Sequence, residues 1–537
     1  MKTGVTARGP RHALRWSALV ALSWAMAGST LITVLPVASG ATVVRHSRAQ
    51  ATRSRAQSTL TVAISDPPVS MDPAHDDNGN GLYTAELAYE PLIWENSNGS
   101  LSPGLAVSWH YVSGSGDRAF VLTIRQGAKF SDGQPVTPKA VANSLNYFST
   151  GSGPTTADFK GVKASVSGSD SVTLTSAKPD PIFPTLLSQD YLAGDIISPA
   201  GLRNTKVLAG TPSGAGAYVL DTKETIPDTK YVFTRNPYYY DPSRIHYKEI
   251  VIEVISNPTS ALEALRTGQV DLDLNAEAEQ ITTAKSSGLD VVETGAEAWD
   301  GVFLLDRDGS KVKALASPLV RQALNYAVDR PAIARAVFGV LGQADDEPTT
   351  PGWDEWVPSL ANYYTYDVAK AKKLLAEAGY PSGFAMSLEY AADEAQTQEM
   401  VEAVVSEWGK IGVQVKLKAE PTISALAADL ANARYTAVSL EWGSQPMFLQ
   451  VGECWLPTSV LNPFHAEQPG FVKEFYAASG APPNHITADM QHLSSITIEQ
   501  GYVVPVAEIR GVMFASQGVN GLPTQLPGGH LNLVDVY

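Results

Sequence analysis

From Asp367 to Trp442 the chain alternates helical and strand periodicity in an order that leaves few folds open. Asp367 caps VAKAKKLLAEAGY, where Leu374, Leu375 and Ala378 share one face and Gly379 and Pro381 end the helix. FAMSLEY alternates as a strand, and 396–410 sets Met400, Val401, Val404, Val405 and Trp408 at helical spacing. VQVKLK is a second strand, 423–433 a further helix and YTAVSLEW a third strand. Strands joined through helices lie parallel, with the helices as crossovers. Ligands of such sheets gather beyond the strand C-termini, which points at Glu441, Trp442 and Gly443.

The chain holds 537 residues, more than one core accommodates, so two or three domains are expected. Its formal charge is −16, and because residues 1–57 carry eight Lys/Arg and no acid, the remainder stands at −24. So acidic a body argues against nucleic acid as a partner, since phosphate binding rests on Lys and Arg. Basic residues up to Arg15, an apolar run over 16–37 and the small residues 38–41 form an export signal, 1–40, with an uncleaved anchor as the alternative. Residues 41–57 are a basic linker, and no cysteine stands at the junction to take a lipid. Cys454 is the single cysteine, so no internal disulfide forms, and a buried apolar role is expected for it.

Strand TLTVAI opens the folded part at 59–64, followed by a proline-rich loop and a helix over 81–89 that carries Tyr83. FVLTIR is a strand, Thr137 and Pro138 start a helix, and 162–175 alternates as a hairpin. Asn257 opens a helix ended by Gly268, before VDLDL. Ser317 and Pro318 begin a helix with Val320, Ala323, Leu324, Ala327 and Val328 on one side. Asp329 begins a second with Ile333, Val337 and Phe338, and DDEPTTPG is then an acidic surface loop. The last stretch, 502–521, consists of strands returning to the first domain.

Specific catalytic and metal patterns are missing: no G-x-S-x-G, P-loop, H-E-x-x-H or paired C-x-x-C occurs. His485 and His492 are too far apart to share a metal. Asp72, Asp76 and Asp77 lack the spacing of a calcium loop and are expected in a solvated turn.

VRQALNYAVDRPAI with GVLGQA and P-T-T-P-G resembles the signature of the family 5 extracellular solute-binding proteins, the oligopeptide, dipeptide and nickel receptors of ABC importers. RQGAKFSDGQPVTP resembles a second family motif, with Ser131 where relatives have His, and GTPSGAGAY with RNPYYY resembles a third. The resemblance implies an α/β, two-lobed periplasmic-binding-protein-like fold of the large type II, with the ligand cleft between lobes. Lobe I would take 58–297 including an inserted subdomain at about 95–208, lobe II 298–505, and 506–537 would return to lobe I. It implies an exported receptor that captures a small molecule or peptide, closes over it and docks as a monomer on permease subunits, without cofactor, metal or catalysis. A ligand sensor and a hydrolase on the same fold are the alternatives.

Tryptophan suits a cleft by its large face and single N–H, so Trp442, Trp353 and Trp299 are candidate ligand residues, with Glu441, Asp300 and Tyr83. Tyr238, Tyr239 and Tyr240 fall outside the cleft by the family pattern. In peptide-binding relatives W-G-x-D supplies an Asp for the peptide's amino group, and Gln445 stands in that place. A neutral amide cannot balance a buried ammonium. Ordinary peptides are therefore expected to bind weakly, and a capped peptide, sugar or siderophore-like compound to bind better.

Overall fold

The computed structural model describes residues 59–537 except 77–78, 97–99, 393, 431, 480–485 and 527–529. The expected export signal and linker, Asp77 and His485 lie outside the described residues. One eleven-stranded sheet runs through the rest. From one edge its order is Gln414–Glu420, Ala385–Ala391, Ala437–Gly443, Asp290–Leu304, Val503–Ala515, Leu272–Asp273, Thr59–Ile64, Glu249–Val254, Lys230–Arg235 and Tyr218–Leu220. Gly342–Ala344 pairs with Val503–Ala515 off that path.

The lobe II end of the sheet is the β/α series read from the sequence. Ala385–Ala391 pairs in parallel with both Gln414–Glu420 and Ala437–Gly443. Helix Ala395–Gly409 buries Met400, Val401, Val404 and Trp408, and the Trp408 indole donates to Leu324 O at 2.9 Å. That bond ties it to helix Pro318–Tyr326, which buries Val320, Ala323 and Leu324. Asp329 caps the next helix, Arg330–Val337, by accepting from Ala332 N at 3.2 Å. Asp367 does the same for Val368–Glu377 from Lys370 N at 2.8 Å. Such a side-chain oxygen satisfies one of the free N–H groups of a helix start.

Lobe I is assembled from distant pieces. Thr59–Ile64 pairs in parallel with Glu249–Val254, 190 residues further on. Between them lies a separate four-stranded antiparallel sheet, in the order Ala106–Tyr111, Ala119–Ile124, Ser171–Thr175, Lys163–Val166. Helix Pro138–Phe148, capped by Thr137, buries Val141, Leu145 and Phe148 beside it.

The returning segment is one thirteen-residue strand, Val503–Ala515, rather than several, because it runs unbroken along Asp290–Leu304. These two long strands pass from one lobe's sheet to the other's, and VDLDL keeps only Leu272–Asp273 as strand, against Val503–Ala515. Register shifts fall between Glu293 and Ala296, between Ala296 and Ala298, and between Asp300 and Gly301. Bulges bend and twist a ladder locally, so the strands are least regular where they cross. Gly301 is required there, since a Cβ would stand 2.6 Å from Val504 O.

Two expectations about acidic segments are corrected. Asp345, Asp346, Glu347, Thr349 and Thr350 are all buried, so the loop after the helix pair is interior. Glu347 accepts from Ser494 Oγ at 2.8 Å and Val357 N at 2.9 Å, and Asp346 accepts from Tyr364 N at 2.7 Å. Asp72 and Asp76 are buried as well, accepting from the Tyr147 hydroxyl at 2.7 Å and Ser70 N at 3.1 Å respectively. Hydrogen bonds within the protein, not solvent, hold these carboxyls.

Candidate ligand site between the lobes

Strand Ala437–Gly443 lies antiparallel to Asp290–Leu304, with Trp442 opposite Trp299 and Glu441 opposite Asp300. Trp299 is 0% exposed and packs on Phe303 with ring centroids 5.0 Å apart. It is a core residue with no surface to offer a ligand, which corrects the expectation. Asp300 is equally enclosed. Its Oδ2 accepts from Thr397 Oγ1 at 2.7 Å, and burial, with Glu441 adding, pushes its carboxyl up to about 8. It lies beneath the cleft wall rather than on it. Glu441 is exposed in surface area yet flanked by protein, and that desolvation followed by Glu394 raises its carboxyl.

Trp442 is half-buried, edge-on to Phe303 at 5.7 Å, and its indole N–H has no partner. Ser444, two residues on, accepts from Trp353 Nε1 at 2.8 Å and also bonds Thr350 Oγ1. The loop after the helix pair is thereby held against the strand end, and Trp353 and Trp442 belong to one region. Gln445 donates from Nε2 to Glu453 Oε2 at 2.6 Å. A carboxylate therefore stands beside Gln445, eight residues along on helix Met447–Cys454. Cys454, on the same helix, is fully buried as expected, and burial raises its thiol.

On lobe I, Tyr83 is 8% exposed and tilts on His530 at 5.8 Å. The larger cavity, about 470 Å³, lies nearby and is lined by Trp94, Glu95, Arg125, Asp190, Tyr240 and Arg244 among others. None of the candidate ligand residues named from sequence lines it, or the second cavity of about 260 Å³ beside the crossing strands. Tyr240 lines the larger one. Buried Glu90 fixes the aromatic wall by accepting from Trp94 Nε1 at 3.0 Å, Tyr239 at 2.9 Å and Tyr240 at 2.6 Å. The cavity's cations are engaged: Arg244 pairs with Asp535 at 2.9 Å and lies 4.5 Å over Trp94, and Arg125 lies 4.4 Å over Tyr240.

Its carboxylates are less well provided for. Glu95 is 8% exposed, and neither carboxylate oxygen has a partner. Burial raises it, then Asp190, then Glu355 of the lobe II loop. Burial likewise pushes Asp190 up to about 7. Facing them from lobe II, burial pushes Glu355 up to about 7 with Asp354 adding. Glu453 reaches about 7 by burial and by Asp158 of lobe I, against the opposing pull of Gln445. Leu449 of the Glu453 helix is buried in the lobe I core, so this helix is where the lobes meet. Sequence reading missed Glu95, Asp190, Glu355 and Glu453. No local periodicity marks a residue whose role comes from facing another lobe.

Residues 100–449 match the profile of the bacterial extracellular solute-binding proteins, family 5. Heme-binding protein A of Haemophilus influenzae is 27% identical over 404 residues, covering 67% of this chain and 70% of that protein. The glutathione-binding protein GsiB of Escherichia coli is 25% identical over 379 residues, covering 67% and 69%. Among solved structures, HbpA2 from Haemophilus parasuis superposes with a TM-score of 0.77 at 20% identity, covering 89% of this chain and 99% of that one. The periplasmic binding protein DppA from Helicobacter pylori, in complex with peptide STSA, gives 0.70 at 20%, covering 90% and 99%. The two-lobed fold is that of periplasmic binding proteins, and the chain belongs to family 5 of the bacterial extracellular solute-binding proteins, as a substrate-binding receptor of an ABC importer.

Proposed function

We propose that the solute is cationic, with an ammonium or guanidinium group lodged in the seam between Glu95 and Asp190 of lobe I and Glu355 and Glu453 of lobe II. The observation that carries this is the set of enclosed carboxyls raised by burial, with Glu95 unpartnered at both oxygens and raised further by Asp190 and Glu355, while the cavity's two arginines are engaged elsewhere. Carboxylates forced together out of water favour protonation, and a cation entering between them restores the charged form. Trp442, Trp353, Glu441 and Gln445 form the lobe II side of the site in this reading and Tyr83 the lobe I side. Lobe I comprises 58–297 with its insertion at about 95–208, lobe II 298–505, and 506–537 the return. The protein is exported, binds as a monomer, closes without catalysis and hands its solute to permease subunits.

Thermal-shift and calorimetric titration with spermidine, a free arginine-containing tripeptide, its N-acetylated form and glutathione tests the ligand class. Spermidine or the free tripeptide is expected to bind best, and Glu453→Gln to weaken it. Glutathione or the acetylated neutral peptide binding as tightly, unaffected by Glu453→Gln, would refute the reading.

A further inference from the structure

Away from the seam, lobe II gathers three carboxylates from three separate elements. Glu389 lies near the C-terminal end of strand Ala385–Ala391, Glu420 ends the parallel neighbour Gln414–Glu420, and Asp429 comes back on helix Ile423–Leu430. One oxygen of each lies within 4.8 Å of the others. An acidic group of this kind on a surface needs no ligand, because water solvates it. Here Glu389 is 0% exposed, and neither of its carboxylate oxygens has a hydrogen-bond partner. Glu420 is 7% exposed. A buried carboxylate without donors is costly unless something positive reaches it.

We infer that Glu389, Glu420 and Asp429 form a divalent-cation site of calcium type. Magnesium usually keeps several waters and is held by one or two carboxylates, whereas calcium takes about 6–8 oxygens and accepts carboxylates in either mono- or bidentate form. Three converging carboxylates match the larger ion. The donor set, all carboxylate oxygen, is the hard-ligand chemistry calcium selects. Asp429 is only half-buried and gives the ion a way in. Two cations already touch the rim: Lys418 lies 3.3 Å from Glu420 Oε1, and Arg434 lies 2.9 Å from Asp429 Oδ2. Both side chains are substantially exposed and free to swing into solvent, and neither bonds Glu389. Burial, then Asp429 and Glu420, pushes Glu389 up to about 8, so a bound ion would displace a proton.

Calorimetry and thermal melting of the whole protein with calcium chloride, and with magnesium chloride as the size control, test the site. Calcium is expected to bind with a dissociation constant on the order of 10⁻⁴–10⁻³ M and to raise the melting temperature more than magnesium does. Glu389→Gln is expected to abolish the calcium response while the metal-free variant melts no lower than wild type, since a buried carboxyl has been removed. Asp429→Asn, at the half-exposed end, is expected to weaken calcium binding about tenfold, and it carries the test if the first variant fails to fold. No calcium response in the wild type, or a response unchanged in Asp429→Asn, would overturn the site. So would magnesium binding as tightly as calcium.

Discussion

The acidic loop after the helix pair and the acidic seam between the lobes both hold buried carboxyls, and in both burial raises them. Asp345 is pushed up to about 7 and Glu347 to about 8, no less than the seam residues. What separates the regions is partners. Glu347 has two donors, Asp345 accepts from Glu347 N at 2.7 Å, and Asp346 lies 2.5 Å from Arg330, whose own Nε hydrogen bond goes to Pro505 O. At the seam, Glu95 has no partner for its carboxylate, and Glu453 has a single amide. A raised carboxyl alone does not mark a binding site, since structural networks produce the same shift. The count of satisfied oxygens distinguishes them.

The largest expected effect tests the paired side. Asp346→Ala leaves Arg330 buried without its counter-charge, and about 3–5 kcal/mol of stability should be lost in urea unfolding. A loss below about 1 kcal/mol would mean that the carbonyls of Asn325 and Pro505 satisfy the guanidinium unaided. Next, Glu453→Gln should cost the cationic solute about tenfold in affinity, near 1.4 kcal/mol, without lowering the melting temperature of the unliganded protein. A fall in stability with affinity kept would place Glu453 among the structural acids.

Trp442→Ala should abolish or strongly weaken binding while the melting temperature moves only a few degrees, because the ring is half-buried and its neighbours Phe303 and Trp299 keep their own contact. Collapse of the fold with binding retained would assign it to the core.

The pH dependence sharpens the same contrast with a smaller effect. Glu453 is raised from its ordinary 4.5 to about 7, so between those values the folded chain holds a proton that the unfolded chain has released. Stability of the unliganded protein therefore falls as pH rises through that window. Solute affinity rises over the same window, since the cation needs the ionised form. Replacing both Glu355 and Glu453 by Gln should flatten both slopes, and slopes left unchanged would assign them to the loop acids. Solution scattering gives the smallest signal: a lower radius of gyration with saturating solute, against no change if the long strands do not bend at their register shifts.

Lobe II was legible because its order is local. Asp367 and Asp329 cap their helices from adjacent positions, and the strand–helix–strand series puts parallel neighbours close in sequence. The first family motif lies on the helix pair of this lobe and the other two lie in lobe I, and the two-lobed fold followed from all three. Trp299 was misassigned because a tryptophan at the start of a lobe reads the same in sequence whether its face meets solvent or Phe303. The acidic loop was misread because charge and proline mark a surface segment unless distant donors such as Ser494 reach it.

By itself the sequence determined most of the helices, the parallel lobe II sheet and the family, all of which rest on periodicities and motifs within a few dozen residues. Only the tertiary structure decided which acids have partners, that Gln445 holds Glu453, and that Glu389, Glu420 and Asp429 converge. The physical reason is that a carboxyl's environment is set by whatever folds against it. For Glu95 and Glu355 that neighbour belongs to the other lobe.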